Sequence, residues 1–97
     1  MIASQGESYF MHKKEVINLV SITRSLFPVM EYSTILVPTY PGGNIGICLG
    51  SLGPSLKEPA RQVPESFVGK MKYYNEDVHK ASFVMPNFAR KMMRGGL

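Results

Sequence analysis

One cysteine, Cys48, is all the 97-residue chain contains, so it forms no disulfide of its own. With no C-x-x-C pair and only His12 and His79, far apart, the residues offer no metal-ligand spacing, and no metal site is expected. No apolar run reaches membrane-spanning length, and no basic stretch followed by a hydrophobic one opens the sequence. Neither a transmembrane helix nor a signal peptide is therefore expected. Acidic residues are fewer than basic ones, 7 against 11, for a net charge of +4. The basic residues are dispersed, and the Lys13-Lys14 and Arg90-Lys91-Arg94 clusters read as a solvated helix face and a helix end, so no nucleic-acid partner is expected.

What remains is an ordinary globular composition, 44% hydrophobic and 19% charged, of a length that suits one small domain. Two apolar runs rich in β-branched residues, Met30–Val37 and Ile45–Leu49, read as strands. Pro38 to Asn44 separate them, more than a tight hairpin turn needs. Pro38 and Pro41 fix φ around Thr39-Tyr40, and Gly42-Gly43 permits positive φ on the way back. Tyr40 stands at the tip of a stiff loop, which reads either as an ordinary Pro/Gly turn or as the presentation of a recognition side chain.

Ahead of this hairpin, Met1 to Ser4 reads as the end of a strand, which leaves Gln5 either as a surface loop amide or at the sheet edge where α/β folds bind ligands. From Met11 to Phe27 the apolar positions Val16, Leu19, Val20, Leu26 and Phe27 follow one helical face, with Thr23 in the gap and Ile17 and Ile22 widening it. Tyr32, Thr34 and Leu36 alternate along one strand and Ile45, Ile47 and Leu49 along the other. Gly46 and Gly50 leave a face bare, for a close backbone, a ligand or a tightly packed helix. Cys48 reads as a small core residue of a reduced, cytoplasmic protein.

Residues 51–70, punctuated by Pro54, Pro59 and Pro64, read as a connecting segment over the surface, and 71–97 as a helical tail. Tyr73 and Tyr74 look like an anchor. Asn75 is the expected N-cap of a helix that turns Val78, Ala81 and Ser82 inward, and Pro86 opens a last helix with Phe88 and Met92 one turn apart and Gly95 as its stop. His79, with no nucleophile or carboxylate placed beside it by a motif, reads as structural.

Four stretches together resemble spermidine synthase: Ser4-Gln5-Gly6-Glu7-Ser8, Ser25-Leu26-Phe27-Pro28, the P-T-Y-P-x-G-x-I-G loop from Pro38 to Gly46, and Lys72-Tyr73-Tyr74-Asn75 through Phe88-Ala89-Arg90-Lys91. Their order and spacing match the C-terminal third of that family. The resemblance implies an α/β chain: the C-terminal part of a Rossmann-like, methyltransferase-type fold, ending in an antiparallel β-hairpin followed by short C-terminal helices. Residues 1–97 would be a C-terminal segment of the aminopropyltransferase catalytic domain. The family transfers an aminopropyl group from decarboxylated S-adenosylmethionine to putrescine.

On that resemblance Gln5 and Tyr40 are putrescine contacts, and Ile45 lines the methylene part of the pocket. The catalytic aspartate and the Gly-rich cofactor turn belong to portions of the family that precede this segment, and neither Asp77 nor any glutamate matches the base. No catalytic residue, cofactor or metal is therefore expected here, and the segment alone is expected to be inactive. Gly42 departs from the serine commoner in that loop, and Ala3-Ser4 from a strand end that often contains cysteine. A cytoplasmic homo-oligomer, dimeric or larger, is implied. The rival reading is a non-catalytic truncated paralogue that acts as an interaction or regulatory subunit.

Overall fold

The structure is a computed structural model that describes residues 1–94. Strand β1 (Ile2–Gln5) leads into helix α1 (Lys13–Leu26), followed by β2 (Val29–Leu36) and β3 (Asn44–Ser51). The short helices α2 (Glu65–Val68), α3 (Glu76–Ala81) and α4 (Asn87–Met93) complete the chain. The expected stop at Gly95 lies outside the described residues.

The two strands after α1 pair antiparallel from Val29↔Ser51 to Leu36↔Asn44, within two residues of the boundaries read from the sequence. A nonlocal feature organises the sheet: its order is β1-β3-β2, with β3 antiparallel to both neighbours. The outer strands β1 and β2 therefore run parallel to each other, joined by α1 and separated by the returning strand. The register Tyr32↔Cys48 and Ile35↔Ile45 puts Tyr32 on the face of Cys48, and Ile45, Ile47 and Leu49 on the other.

Helix α1 lays Val16, Val20 and Thr23 on the Tyr32–Cys48 face, and α4 packs Ala89, Met92 and Met93 against the same core. The Thr23 hydroxyl, bonded to the Leu19 carbonyl at 2.9 Å, lies 3.4 Å from the Cys48 sulfur, so the polar gap in the stripe is satisfied inside the core. Two expected core positions are exposed: Ile22 at 51% and Leu26 at 67%. Ile22 lies about 120° around the helix from Val16, and Leu26 falls on the flank at the last turn. Lys13 sits near the positive end of α1, where the macrodipole disfavours it, but lies 5.5 Å from the centre of the Phe88 ring.

The bare face at Gly46 and Gly50 is filled by aromatic rings. A Cβ on Gly46 would lie 2.2 Å from Tyr32 atoms, and one on Gly50 would lie 2.6 Å from the Phe27 ring. Phe27 caps α1, so helix packing accounts for Gly50. At Gly46 the neighbour is a strand tyrosine, neither the backbone nor the ligand the pattern suggested.

Of the expected connecting segment 51–70, Ser51 closes β3 and Glu65–Val68 form α2, while residues 52–64 have neither helix nor strand and are tethered by a residue the sequence did not single out. Buried Glu31 accepts from the Ser55 hydroxyl at 2.8 Å and from the Leu56 amide. The tail then covers the outer edge of β2: the Thr34 amide donates to the Ser82 carbonyl at 2.8 Å and the Leu36 amide to the Tyr73 hydroxyl at 3.1 Å. These bonds occupy donors that an unpaired edge would leave open. Asn75 caps α3 through the Val78 amide at 2.7 Å. Val78 in α3 and Ser82 at its C-cap are half-buried as expected, while Ala81 is exposed.

Candidate functional site

Gln5 closes β1 at its carboxyl end and pairs with Ile47. The ladder runs one bond further, from the Gly6 amide to the Gly46 carbonyl at 2.7 Å, before the chain turns away. Buried Tyr32 fixes that turn by donating its hydroxyl proton to the Glu7 carbonyl at 2.5 Å. Its ring lies against Gly6 as well as Gly46 and leaves no room for a side chain at either. Burial pushes the Tyr32 phenol well above its ordinary range, so it stays protonated and able to donate.

The loop after β2 is held by its own backbone. The Tyr40 amide donates to the Val37 carbonyl at 3.0 Å, the Gly43 amide to the Tyr40 carbonyl at 2.9 Å, and the Val37 amide to the Gly43 carbonyl at 2.9 Å. Gly42 and Gly43 take φ of +83° and +76°, the left-handed region that the glycine pair was expected to supply. Tyr40 is 43% exposed at the tip.

Because β3 runs against both neighbours, the carboxyl ends of β1 and β2 and the start of β3 meet at one end of the sheet. Gln5 pairs three residues along β3 from Asn44, where the Tyr40 loop lands, about 10 Å at strand rise. Gln5 and Tyr40 are exposed at that end, and Ile45 is buried between the strands at 6%. The only carboxylate on the turn after Gln5 is Glu7, 3.6 Å from His12 Nδ1. Cavities of about 410, 350 and 300 Å³ lie elsewhere, and none of the three is lined by Gln5, Tyr40 or Ile45. The two exposed side chains lie on open surface at the sheet end, outside these cavities.

His79 is structural in its contacts. Its Nε2 lies 2.8 Å from the Leu56 carbonyl, which needs a donor, so Nδ1 accepts from the Tyr74 hydroxyl, also at 2.8 Å. Burial pushes the Cys48 thiol above its ordinary value, consistent with an inert core position. Among the described residues, no cluster of three or more His, Cys, Asp or Glu is placed to hold a metal. No helix there is long and apolar enough to cross a membrane. Sequence reasoning did not find Tyr32, Glu31 or the partner of Tyr73. The available signal was the pair of glycines, Gly6 and Gly46, that must make room for something large.

Outer strands running parallel across an antiparallel third, with side chains gathered at their carboxyl ends, define the closing part of a Rossmann-like, methyltransferase-type fold. The model of the spermine/spermidine synthase domain matches residues 1–58, and the chain belongs to that family. It is 43% identical over 93 residues to a spermidine synthase of Dictyostelium discoideum, covering 96% of this chain and 33% of that one. A putrescine N-methyltransferase of Nicotiana tabacum is 35% identical over 103 residues, covering 96% of this chain and 28% of the relative. The crystal structure of spermidine synthase from Thermotoga maritima superposes with a TM-score of 0.76 at 28% identity, over 95% of this chain and 33% of that structure. The chain thus spans about a third of the length of the relatives it matches.

Proposed function

We propose that these residues form the C-terminal part of a spermidine synthase that transfers an aminopropyl group from decarboxylated S-adenosylmethionine to putrescine. The observation that carries the reading is Tyr40, exposed on a loop locked by three backbone bonds, at the same sheet end as Gln5. A diamine has cationic ends and an apolar middle. The Tyr40 ring and hydroxyl suit an ammonium, the Gln5 amide oxygen accepts from one, and Ile45 backs the apolar part.

In the transfer, the amine nitrogen attacks the carbon attached to the sulfonium, the C–S bond breaks to a neutral thioether, and the nitrogen loses a proton to a base. An amine with a pKa near 10 is mostly protonated at neutral pH, so that base and in-line positioning are required. The residues in hand supply positioning. No Gly-rich turn follows β1, and no described carboxylate matches the base, so the co-substrate and the proton acceptor are assigned to other parts of the protein. We place the protein in the cytoplasm as a homo-oligomer on the family resemblance; its free, buried Cys48 fits the first of these.

The similarity to a putrescine N-methyltransferase favours a second reading, in which the same amine receives a methyl group instead. Incubating the protein at its natural length with putrescine and each donor separates them. Spermidine is the expected product, whereas N-methylputrescine or no product overturns the assignment. Tyr40→Ala is expected to raise the KM for putrescine about tenfold or more with the KM for the donor unchanged, on the scale of a desolvated cation–π contact. The 97-residue polypeptide alone is expected to give no turnover.

A further inference from the structure

We infer that Tyr73, a tail residue outside the amine site, is a positioning residue for amine recognition because its hydroxyl holds the last strand amide before the Tyr40 loop. The inference rests on the function proposed above. Leu36 ends β2, and the loop begins at Val37. The Leu36 amide faces away from β3, on the edge that also carries the Thr34 amide, and Tyr73 is its acceptor at 3.1 Å, from 37 residues further along the chain. The loop is rigid internally, but its three backbone bonds run only among Val37, Tyr40 and Gly43. They set the shape of the loop, not its angle to the sheet.

That angle depends on how the two strand ends are held. At the β3 end, Ile45 is buried and Gly46 is bonded to Gly6, so the landing point is fixed. At the β2 end, exposed Leu36 pairs with Asn44 on its β3 side, and on its open side the Tyr73 hydroxyl is what its amide reaches. A small rotation at Leu36 would be magnified at the tip, where Tyr40 meets the amine. Misplacement of a positioning group weakens recognition without touching the reacting atoms.

The test is Tyr73→Phe in the protein at its natural length, which keeps the ring and removes the acceptor. Tyr74→Phe, which removes the hydroxyl bonded to His79 in the same tail, is the control. Hydrogen exchange of residues 36–44 is expected to quicken about five- to tenfold in Tyr73→Phe and not in Tyr74→Phe, the scale of one lost hydrogen bond. The KM for putrescine is expected to rise by a similar factor, with kcat and the KM for the aminopropyl donor unchanged. Unchanged exchange at 36–44, an equal effect of both variants, or a parallel rise in the donor KM overturns the inference. If Tyr40→Ala leaves the putrescine KM alone, the amine-site reading has failed and takes the amine half of this inference with it. Exchange in Tyr73→Phe then still decides whether the latch exists.

Discussion

The Tyr32 ring occupies the space that a side chain at Gly46 would need, and the two cannot coexist: a Cβ built on Gly46 falls 2.2 Å from the Tyr32 ring and hydroxyl. This contact joins β2 to β3 and, through the Tyr32 hydroxyl on the Glu7 carbonyl, ties both to the turn that follows Gln5. One buried tyrosine therefore sets the spacing of three segments at the end of the sheet where the candidate amine contacts lie.

Gly46→Ala is expected to cost about 2–3 kcal/mol, because the neighbour is a ring buried on all sides rather than a flexible chain end. Gly43→Ala meets nothing within 4 Å and pays only for its φ of +76°, about 1 kcal/mol. Denaturant melts of the two variants check the order, and an equal loss would contradict the overpacking account.

The raised pKa of Tyr32 fixes the sign of an alkaline effect. The folded state holds this proton more tightly than the unfolded chain, whose tyrosine titrates near about 10. Its contribution to stability is complete below that value and is lost as pH rises above it, towards the folded pKa. A pH titration of stability should show a steeper alkaline decline in the natural protein than in Tyr32→Phe. Tyr32→Phe itself should be less stable by about 1 kcal/mol at neutral pH, through the lost bond to Glu7.

Glu31 anchors the surface segment after β3 through Ser55 and Leu56. Glu31→Ala should free that segment at a cost of about 1–3 kcal/mol, since it removes two bonds to a carboxylate and leaves the half-buried Leu56 amide without its acceptor. Limited proteolysis should then cut within residues 52–64 faster than in the natural protein. Cleavage that is unchanged would show the segment to be held by other contacts.

His79 bonds at both ring nitrogens, to Tyr74 and to the Leu56 carbonyl. His79→Gln is expected to lower the melting temperature while leaving the pH profile of turnover unchanged. Loss of an ionisation from that profile would reinstate the histidine as an acid or base.

Much of the local structure was legible because its signals are local. The Val16–Val20–Thr23 stripe, the Asn75 cap and the positive φ at Gly42 and Gly43 each depend on residues a few positions apart. Leu26 and Ile22 show the limit of that reading: periodicity identifies a face, but which edge of the face is covered depends on what the sheet and α4 reach. The candidate contacts Gln5 and Tyr40 entered through resemblance, and their placement at one sheet end follows from strand direction.

Composition, turn chemistry and motif spacing are written along the chain, and from them follow the main element types, the stiffness of the Tyr40 loop and membership of the spermine/spermidine synthase family. Three features belong to the folded chain alone: β3 returns between β1 and β2, Tyr32 fills the space over two glycines, and Glu31 and Tyr73 secure distant segments. The reason is physical: strand order and side-chain partners are chosen by burial and hydrogen-bond satisfaction summed over the whole molecule. Partners such as Leu36 and Tyr73, 37 residues apart, leave no periodic trace in the stretch between them.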